Sequence, residues 1–508
     1  MRKSLTIINS LSGFINKIIS IFFVFIVRHF FTRYMNTECL GLEGLFANVL
    51  GLFSLVDLGL GNAISFNLYE PLHNNDRDTI SAIMSLYRKL YVLIGVVVFG
   101  LSICFTPFIV RFIKDTTIPS NDIRLFFLIY ALGVAITYLF SYKRTLIFAM
   151  QKNYLVLNVD TVTKIVLSLL QIFVIIKIQS YALYLILVVI INFTGNIIIS
   201  RILDKQDQYD IKTDVKLPKS FTDKLKSHVK ALAITNVAWQ GIASTDNLII
   251  SSVVGVLDLA KNANYTTIAN SINSIFSVIL GGASASIGDL LVEKNPRIIK
   301  KYFDRYCFIY VIISAYAALG VYYISKPVIT LWVGANLLFD KTTVFLIAIN
   351  IFLTLNFRPL ADYQNFTGNF VYYKPYSIVA VFINLVVSII LGKIIGINGV
   401  FIGTTVTYLF MIICVACILS KHLFANKVWD YVKHTVIAVI PMIVSFFAIK
   451  IAMNILTGNV VIDILLSFLA VTTIYFFIVT ILLWRNEEFS FFRGLVVKMI
   501  KNRTLKGL

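Results

Sequence analysis

The residues of this sequence best placed to do chemistry are charged side chains set inside long apolar runs. Arg28, Lys164 and Arg358 each fall well inside such a run, as do Asp57, Asp160 and Asp246. An ionisable group near a bilayer centre costs roughly 2.5–3.5 kcal/mol on insertion scales, so it is expected to face a partner or a cavity. Cations contributed by three separate runs would make such a cavity attractive to an anion. A guanidinium fork in particular matches the oxygens of a phosphate or diphosphate. Lys17, Asn48 and Asn247 extend the candidate substrate-binding set, with the amides suited to sugar hydroxyls. Asp57, Asp160 and Asp246 are the candidates for gating or for coupling an ion.

Each candidate also has a purely structural alternative. Asp160 and Lys164 stand at the i,i+4 spacing that lets opposite charges pair on one helix. Asp57, in the phrase DLGLGN, could hold a helix bend or cap, and Glu43 could snorkel to the headgroups. Arg28 and Asp246 could form one salt bridge between two helices, which would set those helices face to face. The small residues GGASASIG at 281–288 and the Gly399/Gly403 pair suit close helix packing.

The elements that must hold these groups are membrane helices. The chain is 58% hydrophobic and only 14% charged, against about 25% charged in a soluble domain. A spanning helix takes about 20 apolar residues, and the sequence divides into about fourteen such runs. Runs such as LYVLIGVVVFGLSICF are apolar on every face, unlike the alternating strands of a barrel. The first run is too long for a signal-peptide core and is expected to stay as a span. Lys and Arg crowd the connections on one side, for example 201–230, and the N-terminal and C-terminal segments share that side. By the positive-inside rule both termini are expected in the cytoplasm. The net charge of +20 is read as this topological signal plus attraction to anionic headgroups, not as a nucleic-acid surface. The scattered cysteines, Cys414 and Cys417 included, suggest packing and no disulfide framework.

An internal repeat organises the spans. The hairpin over about 5–68 is written again over 224–287, and farther along Ile80, Tyr87 and Tyr91 recur as Ile299, Tyr306 and Tyr310. The expected division is an N-terminal six-helix bundle at 1–203, a cytoplasmic linker at 204–229 and a second six-helix bundle at 230–420. Two further spans at 421–484 and a basic tail at 485–508 complete it. Six helices between copies keep both halves in one orientation, related by a pseudo-two-fold axis along the membrane normal. The last two spans are expected to be lipid-facing additions. No phosphate loop, His/Glu metal signature or Ser/His/Asp arrangement occurs, so neither a cofactor nor a metal is expected.

The phrases LFSLVDLGLGNAIS, STDNLIISSVVGV and ANYTTIANSI, with the basic loop before Tyr306, carry a resemblance across essentially the whole chain. The sequence resembles the Wzx-type polysaccharide flippases of the multidrug/oligosaccharidyl-lipid/polysaccharide exporter superfamily. The resemblance implies an all-α integral membrane transporter, not an enzyme, in a bacterial cell membrane. It would move an undecaprenyl-diphosphate-linked oligosaccharide repeat unit to the outer leaflet by alternating access. A polysaccharide polymerase and glycosyltransferases are the protein partners it implies, beside membrane lipids. It also gives the phosphate-accommodating role to Arg28, Lys164 and Arg358, and to Lys17. The sequence departs from the lipid II flippases in lacking a dense arginine cluster in the first, second and eighth runs. Two other readings stay open: a cation-coupled multidrug or small-molecule exporter of the same fold, and a membrane enzyme acting on lipid-linked sugars.

Overall fold

In a bilayer every backbone polar group must be satisfied internally, so apolar spans of this kind fold as helices. The computed structural model describes residues 2–54, 67–68, 71–72, 74–205, 245–292, 296–367, 370–423, 428–455 and 457–494. Its helices are α1 (Arg2–Tyr34), α2 (Glu38–Phe53), α3 (Arg77–Ile109), α4 (Ser120–Ala149), α5 (Asn153–Lys177) and α6 (Tyr181–Lys205). They continue as α7 (Val256–Val292), α8 (Pro296–Trp332), α9 (Lys341–Thr367), α10 (Phe370–Ile395), α11 (Ile397–Leu423), α12 (Val428–Ala452) and α13 (Val460–Leu483). No strand occurs among the described residues. Ten helices there are long and apolar enough to cross a membrane. Of the other expected spans, the second and seventh run partly over 55–66 and 231–244, outside the described residues. The eighth is α7, rich in small and polar residues, and the thirteenth is α12, whose apolar part is Val439–Ala452.

Local chemistry sets the helix ends. Asp76 precedes α3 and accepts from the Thr79 backbone N–H at 3.0 Å, while Asn459 caps α13 by accepting from Val461 at 3.1 Å. Gly396 turns the chain from α10 into α11 with φ of +62°, a conformation that favours glycine. Just beyond it, Gly399 lies so close to the Leu391 backbone that any Cβ would overlap it.

The chain forms two compact units. One comprises residues 1–267 and 384–400, the other 268–383 and 401–508. In the first unit α1 packs on α5, α5 on α6, α6 on α4 and α4 on α3, with α2 against α3 and α4. Polar groups join α1 to α5: Asn16 donates to the Thr161 hydroxyl at 2.9 Å, and Asn9 accepts from the Tyr154 N–H at 2.7 Å. In the second unit α8 is central, packed by α9, α12 and α13. Phe308, Val311, Ala315 and Leu319 present one face of α8 to Val471, Tyr475 and Val479 of α13 and Ile449 of α12. The Tyr475 hydroxyl donates to the Ile312 carbonyl at 2.7 Å. The last two spans are therefore more than lipid-facing additions. Phe468, Leu469, Phe476 and Phe477 of α13 are exposed on its outer side, yet its inner face closes the core of this unit. Inside lipid such packing and hydrogen bonding, not transfer from water, holds helices together.

The repeat recurs as local packing. Tyr87 and Tyr91 are buried on α3 with ring centroids 5.6 Å apart, and Tyr306 and Tyr310 are buried on α8 at 5.0 Å.

Candidate functional site

Within the first unit, four helices each offer one face to a common cavity of about 280 Å³. The residues come at helical spacings. Val24, Val27, Arg28 and Phe31 lie on one side of α1, Leu40 and Glu43 on α2, Lys164, Leu167 and Gln171 on α5, and Tyr184, Val188 and Asn192 on α6. The apolar members form the wall, and the polar members supply two cations, one carboxylate, two amides and a phenol.

Apolar packing fixes the frame around these groups. Val27 and Phe31 of α1 belong to a buried cluster with Cys39 and Leu40 of α2, Val174 and Ile175 of α5, and Tyr181 and Tyr184 of α6. The Phe31 ring meets Tyr184 edge-on at 5.4 Å, and Tyr181 stacks on Tyr184 at 5.8 Å. Arg28 is oriented by a hydrogen bond from Nη1 to the Oδ1 of Asn264, at 3.3 Å, on α7. Asn264 is fully buried, and among the described residues its Nδ2 has no partner.

The structure brings Arg28 and Lys164 together and sends the other expected residues elsewhere. Asp160 does not pair with Lys164. It accepts from both Nη atoms of Arg144 on α4, at 2.8 and 2.9 Å, while the Arg144 Nε donates to Asn196 of α6 at 2.8 Å. A bidentate guanidinium on a neighbouring helix outcompetes an ammonium one turn away, which leaves Lys164 to the cavity. Nor do Arg28 and Asp246 meet in the hydrogen bonds seen for them. Asp246 accepts from Asn384 at 3.1 Å, and Asn384 accepts from the Thr245 hydroxyl at 2.6 Å. Asn48 donates to the Gly44 carbonyl of its own helix at 2.6 Å, and Asn247 accepts from Asn262 at 3.0 Å. Lys17 is exposed on α1, and Asp57 lies outside the described residues.

Arg358 belongs to the second unit. Its side chain is 59% exposed, and its Nε pairs at 3.3 Å with the buried Asp362 one turn on. The second Asp362 oxygen accepts from the Tyr306 hydroxyl at 2.8 Å. The repeat-marking tyrosine thus anchors the carboxylate that holds Arg358. Asp362→Ala should lower the thermal unfolding midpoint in detergent, because the buried Tyr306 hydroxyl loses its short acceptor and keeps only the Tyr310 hydroxyl at 3.5 Å. The loss is about 1–3 kcal/mol, and Tyr306→Phe should cost a similar amount, because it leaves the buried Asp362 oxygen without its donor.

Glu43, which the sequence lets snorkel to the headgroups, lines the cavity with both cations. Gln171, Tyr184 and Asn192 join the site, and their sequence signal is the helical spacing of Gln171 from Lys164 and of Asn192 from Tyr184 in otherwise apolar runs. Among the described residues no group of three or more His, Cys, Asp or Glu is placed to hold a metal ion.

Comparison with known proteins gives the fold. No family model matches the chain, and no curated protein does. Solved structures do. The chain is similar to the lipid II flippase MurJ in an inward closed conformation, with 14% identity, TM-score 0.68, and coverage of 96% of this chain and 100% of that one. An inward-facing multidrug resistance MATE transporter of the MOP superfamily aligns at 13% identity and TM-score 0.59, over 84% and 98% of the two chains. A MOP superfamily transporter from Pyrococcus furiosus aligns at 13% identity and TM-score 0.55, over 81% and 94%. The chain shares the fold of these flippase and transporter structures, and among its described residues ten helices are long and apolar enough to cross a membrane.

Proposed function

We propose that this chain is a flippase that carries an undecaprenyl-diphosphate-linked oligosaccharide repeat unit from the cytoplasmic to the outer leaflet of a bacterial cell membrane. The reading has the chain work by alternating access, with both termini in the cytoplasm, in the service of polysaccharide biosynthesis. One observation carries it: Arg28 and Lys164, from helices far apart in sequence, line the same cavity. A fork and a point charge with freely placed donors suit a phosphate group, and among the described residues no carboxylate forms an ion pair within 4.0 Å with either. Amides and a phenol beside them suit sugar hydroxyls. MATE transporters share the fold, but a cavity for cationic drugs would be expected to carry an excess of carboxylates, and this one holds two cations to one carboxylate. On this reading Arg358 of the second unit is a phosphate-binding candidate in its own right, with its Nε held by Asp362.

The test is complementation. Expressed in a bacterial strain deleted for its own repeat-unit flippase, the protein should restore surface polymer. It should also transfer a diphosphate-linked oligosaccharide across liposomes, scored by the cargo's accessibility to an external lectin. Failure in both assays, with the protein present in the membrane, would refute the reading.

A further inference from the structure

We propose that the cavity of the first unit is built for a group that carries a positive charge beside its negative one, of the class of an amino sugar joined to phosphate, and that Glu43 selects it. This rests on the reading of Arg28 and Lys164 as phosphate ligands and goes on to name the sugar chemistry beside that phosphate. Glu43 comes from α2 and shares the cavity with Arg28 of α1 and Lys164 of α5. Among the described residues, no ion pair within 4.0 Å joins Glu43 to either cation. A carboxylate present only to neutralise one of them would close that pair, because leaving charges separated in a partly buried site is costly. Close enough to act on Lys164 electrostatically but, among the described residues, accepting no hydrogen bond, Glu43 keeps its oxygens for what enters the cavity.

An anion bound alone at Arg28 and Lys164 would meet a like charge in Glu43, which weakens binding. A ligand ammonium turned toward Glu43 converts that repulsion into an ion pair, so one bound group satisfies all three charges. Size narrows the class. The cavity, about 280 Å³, sits at the lower end of the roughly 300–1,000 Å³ typical of ligand pockets. It fits a single sugar ring with its phosphate, and the rest of an oligosaccharide would lie outside. Gln171, Tyr184 and Asn192 then face the ring hydroxyls.

The experiment titrates the purified full-length protein in nanodiscs with glucosamine 1-phosphate and glucose 1-phosphate, using calorimetry. Glucosamine 1-phosphate should bind about tenfold tighter, the equivalent of about 1.4 kcal/mol. Glu43→Gln should abolish that difference and tighten glucose 1-phosphate, since the like charge is gone. Glu43→Asp should keep part of the preference, and retained glucose 1-phosphate binding shows that each variant is folded. Equal affinities in the wild type, or a preference that persists in Glu43→Gln, overturn the selectivity while leaving the phosphate reading intact. Absence of binding by either sugar phosphate overturns both. Equal wild-type affinities with a pH dependence of glucose 1-phosphate binding that vanishes in Glu43→Gln would show Glu43 to be a proton carrier, and that too overturns the proposal.

Discussion

On the proposed function, Arg28→Ala and Lys164→Ala should each abolish polymer export while the protein remains in the membrane at its normal level. The expectation follows from where the two side chains end. Both line the cavity of the first unit, and among the described residues Arg28 spends one long hydrogen bond, to Asn264. A charge-assisted hydrogen bond contributes about 1.5–3 kcal/mol, and two such bonds to one phosphate, lost together, lower occupancy by a factor of roughly 10²–10⁴. Arg28→Lys restores part of the activity, because charge is kept and the fork is lost. Lys164→Arg is less easily accommodated in a cavity of this size. Lys17→Ala is the internal control: its side chain is exposed on α1 away from the cavity lining, and export should be near wild type. The measurement is surface polymer in a complemented deletion strain, read beside an immunoblot of the membrane fraction. Normal export from both alanine variants would sink the cavity reading.

The helices were legible in the sequence for a simple reason. Length and uniform apolarity decide them, and both are local properties. Arg28 and Lys164 were legible as well, because a charge within an apolar run stands out whatever surrounds it. What the sequence hid was company. Glu43 lies near the start of α2, where snorkelling is a reasonable expectation, and only the packing of α1, α2, α5 and α6 turns it inward. Gln171 and Asn192 are neutral amides in apolar runs, and nothing local separates a cavity amide from one that bonds across a helix interface, as Asn16 does. The repeat was thin as identity, yet it coincides with a buried tyrosine pair in each unit, so the few matching residues are packing residues. The opening hairpin and its second copy run partly over 55–66 and 206–244, outside the described residues.

Asp160 shows the same limit more sharply and leads to the second large effect. On sequence alone its nearest opposite charge was Lys164 at i,i+4. In the fold Arg144 reaches it from α4 with both Nη atoms and spans to Asn196 of α6 with Nε, so one guanidinium ties three helices together. The side chains are 32% and 36% exposed, between a surface pair and a buried one, which places the cost of breaking the pair at about 1–3 kcal/mol. Arg144→Ala should cost more than Asp160→Ala, since it strands both the carboxylate and the buried Asn196 amide. The double alanine variant should unfold at a higher temperature than the two single losses would sum to, because removing the second partner no longer leaves a charge unpaired. A thermal-shift double-mutant cycle in detergent reads this directly. The same variants decide whether Asp160 couples an ion or braces the bundle. A carboxylate fully engaged by a fork is poorly placed to bind and release a cation during a transport cycle. The double variant, once folded at permissive temperature, should therefore export at close to the wild-type rate. A variant that is stable yet inactive would return Asp160 to the transport mechanism.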